Sequence, residues 1–150
     1  MAGLPQWEQP NAEGAEASQR AQNYSGSDLS GVVIGCAIEV QRHLGTGLLE
    51  SAYGAALAVE LETQGIAYKR EVPVLAAYKG RPLGIGYRAD FIVDDFLVIE
   101  IKAIETLNGT HKAQLLSYLR VGDFPLGLLI NFHAAPLATR GTMRVVNQLR

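Results

Sequence analysis

Little in this chain permits a disulfide, a membrane span or a strongly charged surface. Cys36 is the only cysteine among 150 residues, so no intramolecular disulfide forms. Its place in the apolar run Val32 to Val40 reads as a buried thiol. No run approaches the roughly 18 apolar residues that cross a bilayer, and the N-terminus has neither a basic n-region nor an apolar h-region. The expectation is a cytoplasmic protein without membrane contact. Net charge is only −2. Residues 1–27 carry Glu8, Glu13, Glu16 and Arg20, after which acidic and basic residues balance at 12 each. A neutral body does not coat nucleic acid by charge alone, although a local basic patch holds a few phosphates. Absent too are a Walker-type glycine loop, a Gly-x-Ser-x-Gly elbow and a dinucleotide fingerprint after a strand. His43 and His133 lack partners at zinc-ligand spacing, and His111 reads as a surface histidine.

What is present is one domain's worth of alternating patterns. Residues 1–27, rich in Ala, Glu, Gln, Gly, Ser and Asn, cannot offset the entropy of ordering and read as a disordered tail. Residues 28–150 read as a single domain. Ser27 or Asp28 is the expected N-cap of a helix over 29–43, with Val32, Val33, Cys36, Ala37 and Val40 at helical spacing. Gly45 and Gly47 turn the chain into a second helix, Leu48 to Gln64, expected to bury Leu49, Ala52, Ala56, Leu57 and Leu61. Strands are expected over Tyr68 to Tyr78, Leu83 to Val93 and Phe96 to Ala103, separated by turns at 79–82 and Asp94-Asp95. A helix from Asn108 to about Val121 precedes a doubly covered strand, Pro125 to Asn131. Thr139 to Arg150 stays unassigned. The class is α/β, a central mixed β-sheet flanked by helices.

The chemistry concentrates between Asp90 and Lys102. Asp90 stands in one apolar strand, and Glu100-Ile101-Lys102 lies ten residues later in the next. A half-buried charge costs roughly several kcal/mol unless it is paired or binds metal, so the three point to a common partner. A two-residue Asp94-Asp95 loop would set Asp90 against Ile99 and send Asp90 and Glu100 to opposite faces. A three-residue loop instead pairs Asp90 with Glu100, Arg88 with Lys102 and Ile92 with Val98. It also gathers Tyr87, Ala89, Phe91, Leu97, Ile99 and Ile101 on the other face. The second register separates a polar site from an apolar face and is the one predicted. Two carboxylates suit a hard cation such as Mg²⁺, beside which Lys102 handles a water or developing phosphate charge. The competing reading is a solvated salt-bridge ladder of Arg88, Asp90, Glu100 and Lys102.

Two helical pairs complete the candidates. Glu50 and Tyr53, three apart, are expected on one helix face with Leu57, where the carboxylate reaches the metal or its water. Alternatively Glu50 sits in the first turn for the helix dipole and Tyr53 packs over the sheet. Gln114 and Tyr118, with His111 one turn earlier, form a polar stripe on a helix that buries Leu115 and Leu119. That stripe faces either the site or solvent.

The segments Gly47-Leu-Leu-Glu50-Ser-Ala-Tyr53, Tyr87-Arg-Ala-Asp90-Phe91 and Glu100-Ile-Lys102-Ala103 together resemble the GxxExxY family, a bacterial group in the PD-(D/E)xK nuclease superfamily. The resemblance runs over roughly residues 28–138 and includes Gly65-Ile66, Glu71-Val-Pro73, Leu115 to Arg120 and Gly127 to Phe132. It implies a restriction-endonuclease-like core and a Mg²⁺ or Mn²⁺ cofactor. Catalytic residues would be Asp90, Glu100, Lys102 and Glu50, with Asp90, Glu100 and Glu50 as metal ligands. Gln114 and Tyr118 are similar to a pair that supports the site and contacts DNA in a helicase-associated branch, and Tyr53 and Arg88 are further supports. Ala89 replaces the superfamily's usual proline. The implied partner is nucleic acid, DNA ahead of RNA, with a homodimer or a protein partner open.

Two functions follow. One is a metal-dependent nuclease. The other is a nuclease-fold module that binds nucleic acid or a protein with little or no catalysis, as the neutral body suggests.

Overall fold

The structure, a computed structural model, describes residues 26–148. The tail expected over 1–27 lies outside the described residues except for Gly26 and Ser27, which already belong to the first helix. Helix α1 spans Gly26–Leu44 and α2 Glu50–Thr63. Strands β1 Tyr68–Tyr78, β2 Arg81–Val93 and β3 Leu97–Lys102 follow, then α3 Gly109–Gly122, β4 Leu126–Asn131, a short α4 Leu137–Arg140 and β5 Thr142–Val146. Because α1 includes Ser27 and Asp28, neither is the cap expected of it; helix ends shift by a residue or two from any local reading. Strand β5 and the second half of α4 lie in the ambiguous stretch from Thr139 onward.

The sheet runs β1-β2-β3-β4-β5. Only β3 and β4 are parallel, and α3 supplies the crossover that a parallel pair requires. All six residues of β4 are buried, as a strand covered on both faces must be. On one face α1 and α2 close over Phe91, Val93, Leu97, Ile99, Ile101, Leu128 and Ile130. On the other, Leu115 and Leu119 of α3 meet Ile92, Val98, Leu129 and Val145. Each fully buried side chain of this size contributes roughly 1.5–3 kcal/mol. Among the described residues no helix is long and apolar enough to cross a membrane.

Leu49, expected in the core, is 77% exposed and is the N-cap residue of α2. The buried side of that helix is Tyr53, Gly54, Leu57, Ala58 and Leu61, because the helix starts two residues later than its apolar spacing suggests and Leu49 precedes its first turn.

The corner between α1 and α2 is held from inside. Gly45 takes φ +74°, a conformation open to glycine. The Tyr53 hydroxyl donates to the Gly45 carbonyl at 2.7 Å and accepts the Leu48 N–H at 3.1 Å. Its ring stacks on Phe132 at 4.6 Å between centroids. From the far side His133 Nε2 meets the Leu48 carbonyl at 2.6 Å, and Gln41 Nε2 donates to the carbonyls of Phe132 and Ala134. Tyr53→Phe keeps the stack but leaves the Gly45 and Leu48 backbone groups without this partner. The expected loss is about 1–3 kcal/mol of unfolding free energy, read from urea denaturation beside the native chain.

Candidate active site

The site forms where β2 and β3 part. Their ladder pairs Val93 with Leu97, Ile92 with Val98 and Phe91 with Ile99, the register of a three-residue loop, Asp94-Asp95-Phe96. Asp94 and Asp95 both take positive φ (54° and 50°), which aspartate tolerates better than β-branched residues do. Phe96, expected in the strand, belongs to this loop. Continuing the register sets Asp90 opposite Glu100, but regular pairing has already stopped. Asp90 Oδ2 accepts the Ile101 N–H at 2.7 Å, so a side chain substitutes for the missing backbone partner.

On the other side of β2, Glu71 lies opposite Asp90 with φ +53°. Here the two strands exchange faces. Arg70 and Phe91 pair on the α2 side, whereas Val72 and Ala89 join the cluster under α3. The expectation that Tyr87 and Ala89 share a face with Phe91 is therefore corrected: alternation breaks at the Glu71–Asp90 crossing, and Tyr87 and Ala89 turn towards α3. The proposed Arg88–Lys102 pair fails for the same reason. Arg88 is paired with Pro73 of β1, beyond the end of the β2–β3 ladder.

Glu100 is the most perturbed group at this point. Burial pushes its carboxyl up to about 8, the neighbouring Asp90 adds to the rise, and Lys102 opposes it. Its Oε1 is buried without a hydrogen-bond partner. A buried orphaned carboxylate oxygen is costly unless a proton or a cation joins it. Behind it Tyr87 stacks on Tyr118, centroids 3.9 Å apart and planes within 8°. The Tyr87 hydroxyl is likewise buried without a partner, and burial, then Glu100, raises its pKa.

On the α2 side of Asp90 opens a cleft of about 280 Å³, spacious beside the roughly 30 Å³ share of one water. Glu50, Ser51 and Gly54 of α2 line it, with Arg70, Glu71, Arg88, Asp90, Phe91 and Ile101 from the sheet. Glu50 is exposed at the first position of α2 and lines the cleft, and it also stands in the first turn, where the helix dipole favours an anion, as the alternative reading expected. Tyr53 does not share that face; it points into the core at the corner described above. The pair on the cleft is Glu50 with Gly54, one turn apart. Among the described residues no three His, Cys, Asp or Glu side chains converge as metal ligands. Asp90 and Glu100 form a pair, and Glu50 stands apart from it at the cleft.

Other candidates divide. Tyr118 reaches Glu100 through Tyr87, while Gln114 is exposed. His111 caps its helix, its Nδ1 accepting the Asn108 N–H at 3.1 Å. Arg88 meets Glu71 at 3.9 Å, both well exposed, and among the described residues no ion pair joins Asp90, Glu100 and Lys102. The solvated salt-bridge ladder is therefore not what is built. Lys102 is half-buried and pairs with Asn131 in the parallel ladder. Fully buried Asn131 then fixes the segment after it, accepting the Ile104 N–H and donating to the Ile104 carbonyl.

Sequence reading missed Arg70, Gly54, Glu71 and Tyr87. Only Gly54 left a trace, as a helix-interior glycine placed four residues after Glu50; the others depend on the exchange of faces at Glu71, which no periodicity announces.

With this geometry established, comparison with known proteins adds one match. A family model described as the PD-(D/E)XK nuclease superfamily matches residues 27–145, covering β1 to β4 in full together with the cleft. No curated protein and no solved structure matches the chain.

Because Glu100 holds its proton more tightly folded than unfolded, the folded state carries the extra proton from the ordinary carboxylate range up to about 8. Stability falls as pH rises through that window. In EDTA the melting temperature is expected to drop over it, and Glu100→Gln to flatten most of the slope. A slope unchanged in the variant assigns the titration to another group.

Proposed function

This chain belongs to the PD-(D/E)XK nuclease superfamily, and from that premise we propose that it is a divalent-metal-dependent nuclease hydrolysing phosphodiester bonds of nucleic acid, DNA ahead of RNA. The observation that carries the proposal is the Asp90–Glu100 pair at the end of the β2–β3 ladder, with Glu100 Oε1 buried and unpartnered. Such a pair fits a cation in place of the proton that Glu100 otherwise retains. Hard carboxylate oxygens favour Mg²⁺ or Mn²⁺ over softer metals. Asp90 and Glu100 would hold the ion, and Glu50, standing apart from them, would act through water. When bound, the ion supplies Lewis-acid polarisation of the phosphoryl group and lowers the pKa of water.

The chain's own groups have separable tasks. Asp90 orients its carboxylate by accepting the Ile101 N–H, which leaves Oδ1 for the ion. Lys102, kept beside Glu100 by the Asn131 ladder contact, stabilises negative charge on the phosphate oxygens or orients the attacking water. Glu50 holds water at the cleft. Tyr87 and Tyr118 exclude solvent behind Glu100, and Gln114, exposed on α3, is available to substrate. Arg88 adds positive charge at the cleft edge.

We further assign the chain to the GxxExxY family within the superfamily, and the motif reads as two tasks on one corner. Gly47 lies in the turn, Glu50 faces the cleft, and Tyr53 locks the turn from the core. The balanced charge of the folded part favours a second reading, a binding module of little catalytic power.

Labelled single- and double-stranded DNA and RNA, incubated with Mg²⁺ or Mn²⁺, separate the two. Cutting by the native chain that falls at least about 100-fold in Lys102→Ala, the scale of a lost acid–base or charge-stabilising group, is the expected outcome. Equal cutting, or none, in both proteins removes the nuclease reading and favours the binding module.

A further inference from the structure

The cleft holds a guanidinium for which the proposed chemistry has assigned no task. Arg70 stands opposite Phe91 in the β1–β2 ladder, and its guanidinium lies over the Phe91 ring, 5.3 Å from the centroid. Gly54 of α2 faces it. A Cβ at that position would come within 3.1 Å of Arg70 Nη2, so the bare backbone leaves the guanidinium its space. The Nε of Arg70 is buried without a hydrogen-bond partner. Glu50, Glu71 and Asp90 line the same cleft, yet among the described residues no carboxylate lies within ion-pairing distance of Arg70; Glu71 engages Arg88 instead.

A planar cation positioned by an aromatic face and a glycine, with its donors not consumed by a carboxylate, is preorganised for a bidentate oxyanion acceptor. We infer that Arg70 is the phosphate-binding residue of this cleft, donating its guanidinium N–H groups to the non-bridging oxygens of a nucleic-acid phosphate beside Asp90. The inference deepens the proposed function, resting on it for the source of the phosphate but not for the site. Among oxyanions, phosphate is the one that the proposed function brings to this cleft. An arginine on the α2 side and Lys102 on β3 would then approach the phosphate from different elements.

The test begins without metal or cleavage. In EDTA at matched ionic strength, pyrophosphate is expected to raise the melting temperature of the native chain by a few degrees, roughly the scale of ligand linkage for a domain of this size. Arg70→Gln should lose that shift and Arg70→Lys retain part of it. Gly54→Ala, which crowds Nη2 without removing the charge, should diminish it and stands in if Arg70→Gln melts without a cooperative transition. An equal shift in the native chain and the Arg70 variants, or no shift in the native chain, overturns the inference. Binding of an oligonucleotide, with or without a 5′-phosphate, then identifies the source. Loss of about one ion from the salt slope in Arg70→Gln with both ligands points to an internal phosphodiester, and loss only with the 5′-phosphorylated ligand to a terminal phosphate. A slope unchanged with both overturns a nucleic-acid phosphate as the ligand. Pyrophosphate binding that depends on Arg70 without any metal-dependent cutting removes the nuclease reading alone, while Lys102-dependent cutting with no Arg70-dependent binding removes this inference alone.

Discussion

The arrangement around the cleft depends on one substitution of a side chain for backbone: the Asp90 carboxylate taking the Ile101 N–H where β2 and β3 stop pairing. Separating strands normally expose a row of unpaired amides, and burying them unpartnered is costly. Asp90 satisfies one of these amides and in doing so brings a carboxylate to the mouth of the gap. Glu100, the next residue facing that gap, is drawn in beside it with one oxygen wholly withdrawn from solvent. The polar site is therefore a consequence of how the sheet ends its central ladder, flanked along the strands by the buried apolar residues Phe91, Ile99 and Ile101.

The same crossing decides which side chains meet the two carboxylates. At Glu71 the backbone takes positive φ and the strands exchange faces. Arg70 is left on the α2 side above Phe91, and Tyr87 is sent to the α3 side, where it stacks on Tyr118. Asp90 thus has an open, arginine-bearing cleft on one side and a closed aromatic wall on the other. Burial behind the wall raises the Glu100 pKa, and openness before it admits a ligand. A cation between the two environments would meet carboxylate oxygens from one direction and solvent or phosphate from the other.

Charge distribution fits this local design. The folded part carries balanced charge overall, so long-range attraction of a polyanion is weak, and recognition has to come from contacts inside the cleft. Arg70 and Arg88 are the cations that line it. Holding Arg70 by stacking and by the missing side chain of Gly54 lowers the entropy that a flexible surface arginine would lose on binding. The helical corner contributes in the same way: Tyr53 and Phe132 fix where α2 begins, and hence where Glu50 and Gly54 stand.

Legible along the chain were the order of the main elements, the doubly covered β4 and the three-residue-loop register that pairs Ile92 with Val98. These follow from local periodicity, turn residues and the rule that a one-residue slip reverses every side chain. The sequence also singled out Glu50 and Lys102, whose residue types contrast with their apolar surroundings. Three-dimensional packing settled that Tyr53 faces the core while Glu50 faces the cleft, that Leu49 is exposed, that Arg88 leaves Lys102 for the β1 side, and that Arg70, Gly54 and Tyr87 surround the site. Each of these depends on where a helix begins or on the change of faces at Glu71. A positive φ at a non-glycine residue is set by the packing on both sides of the sheet, and a pattern read along one strand carries no record of what packs across it.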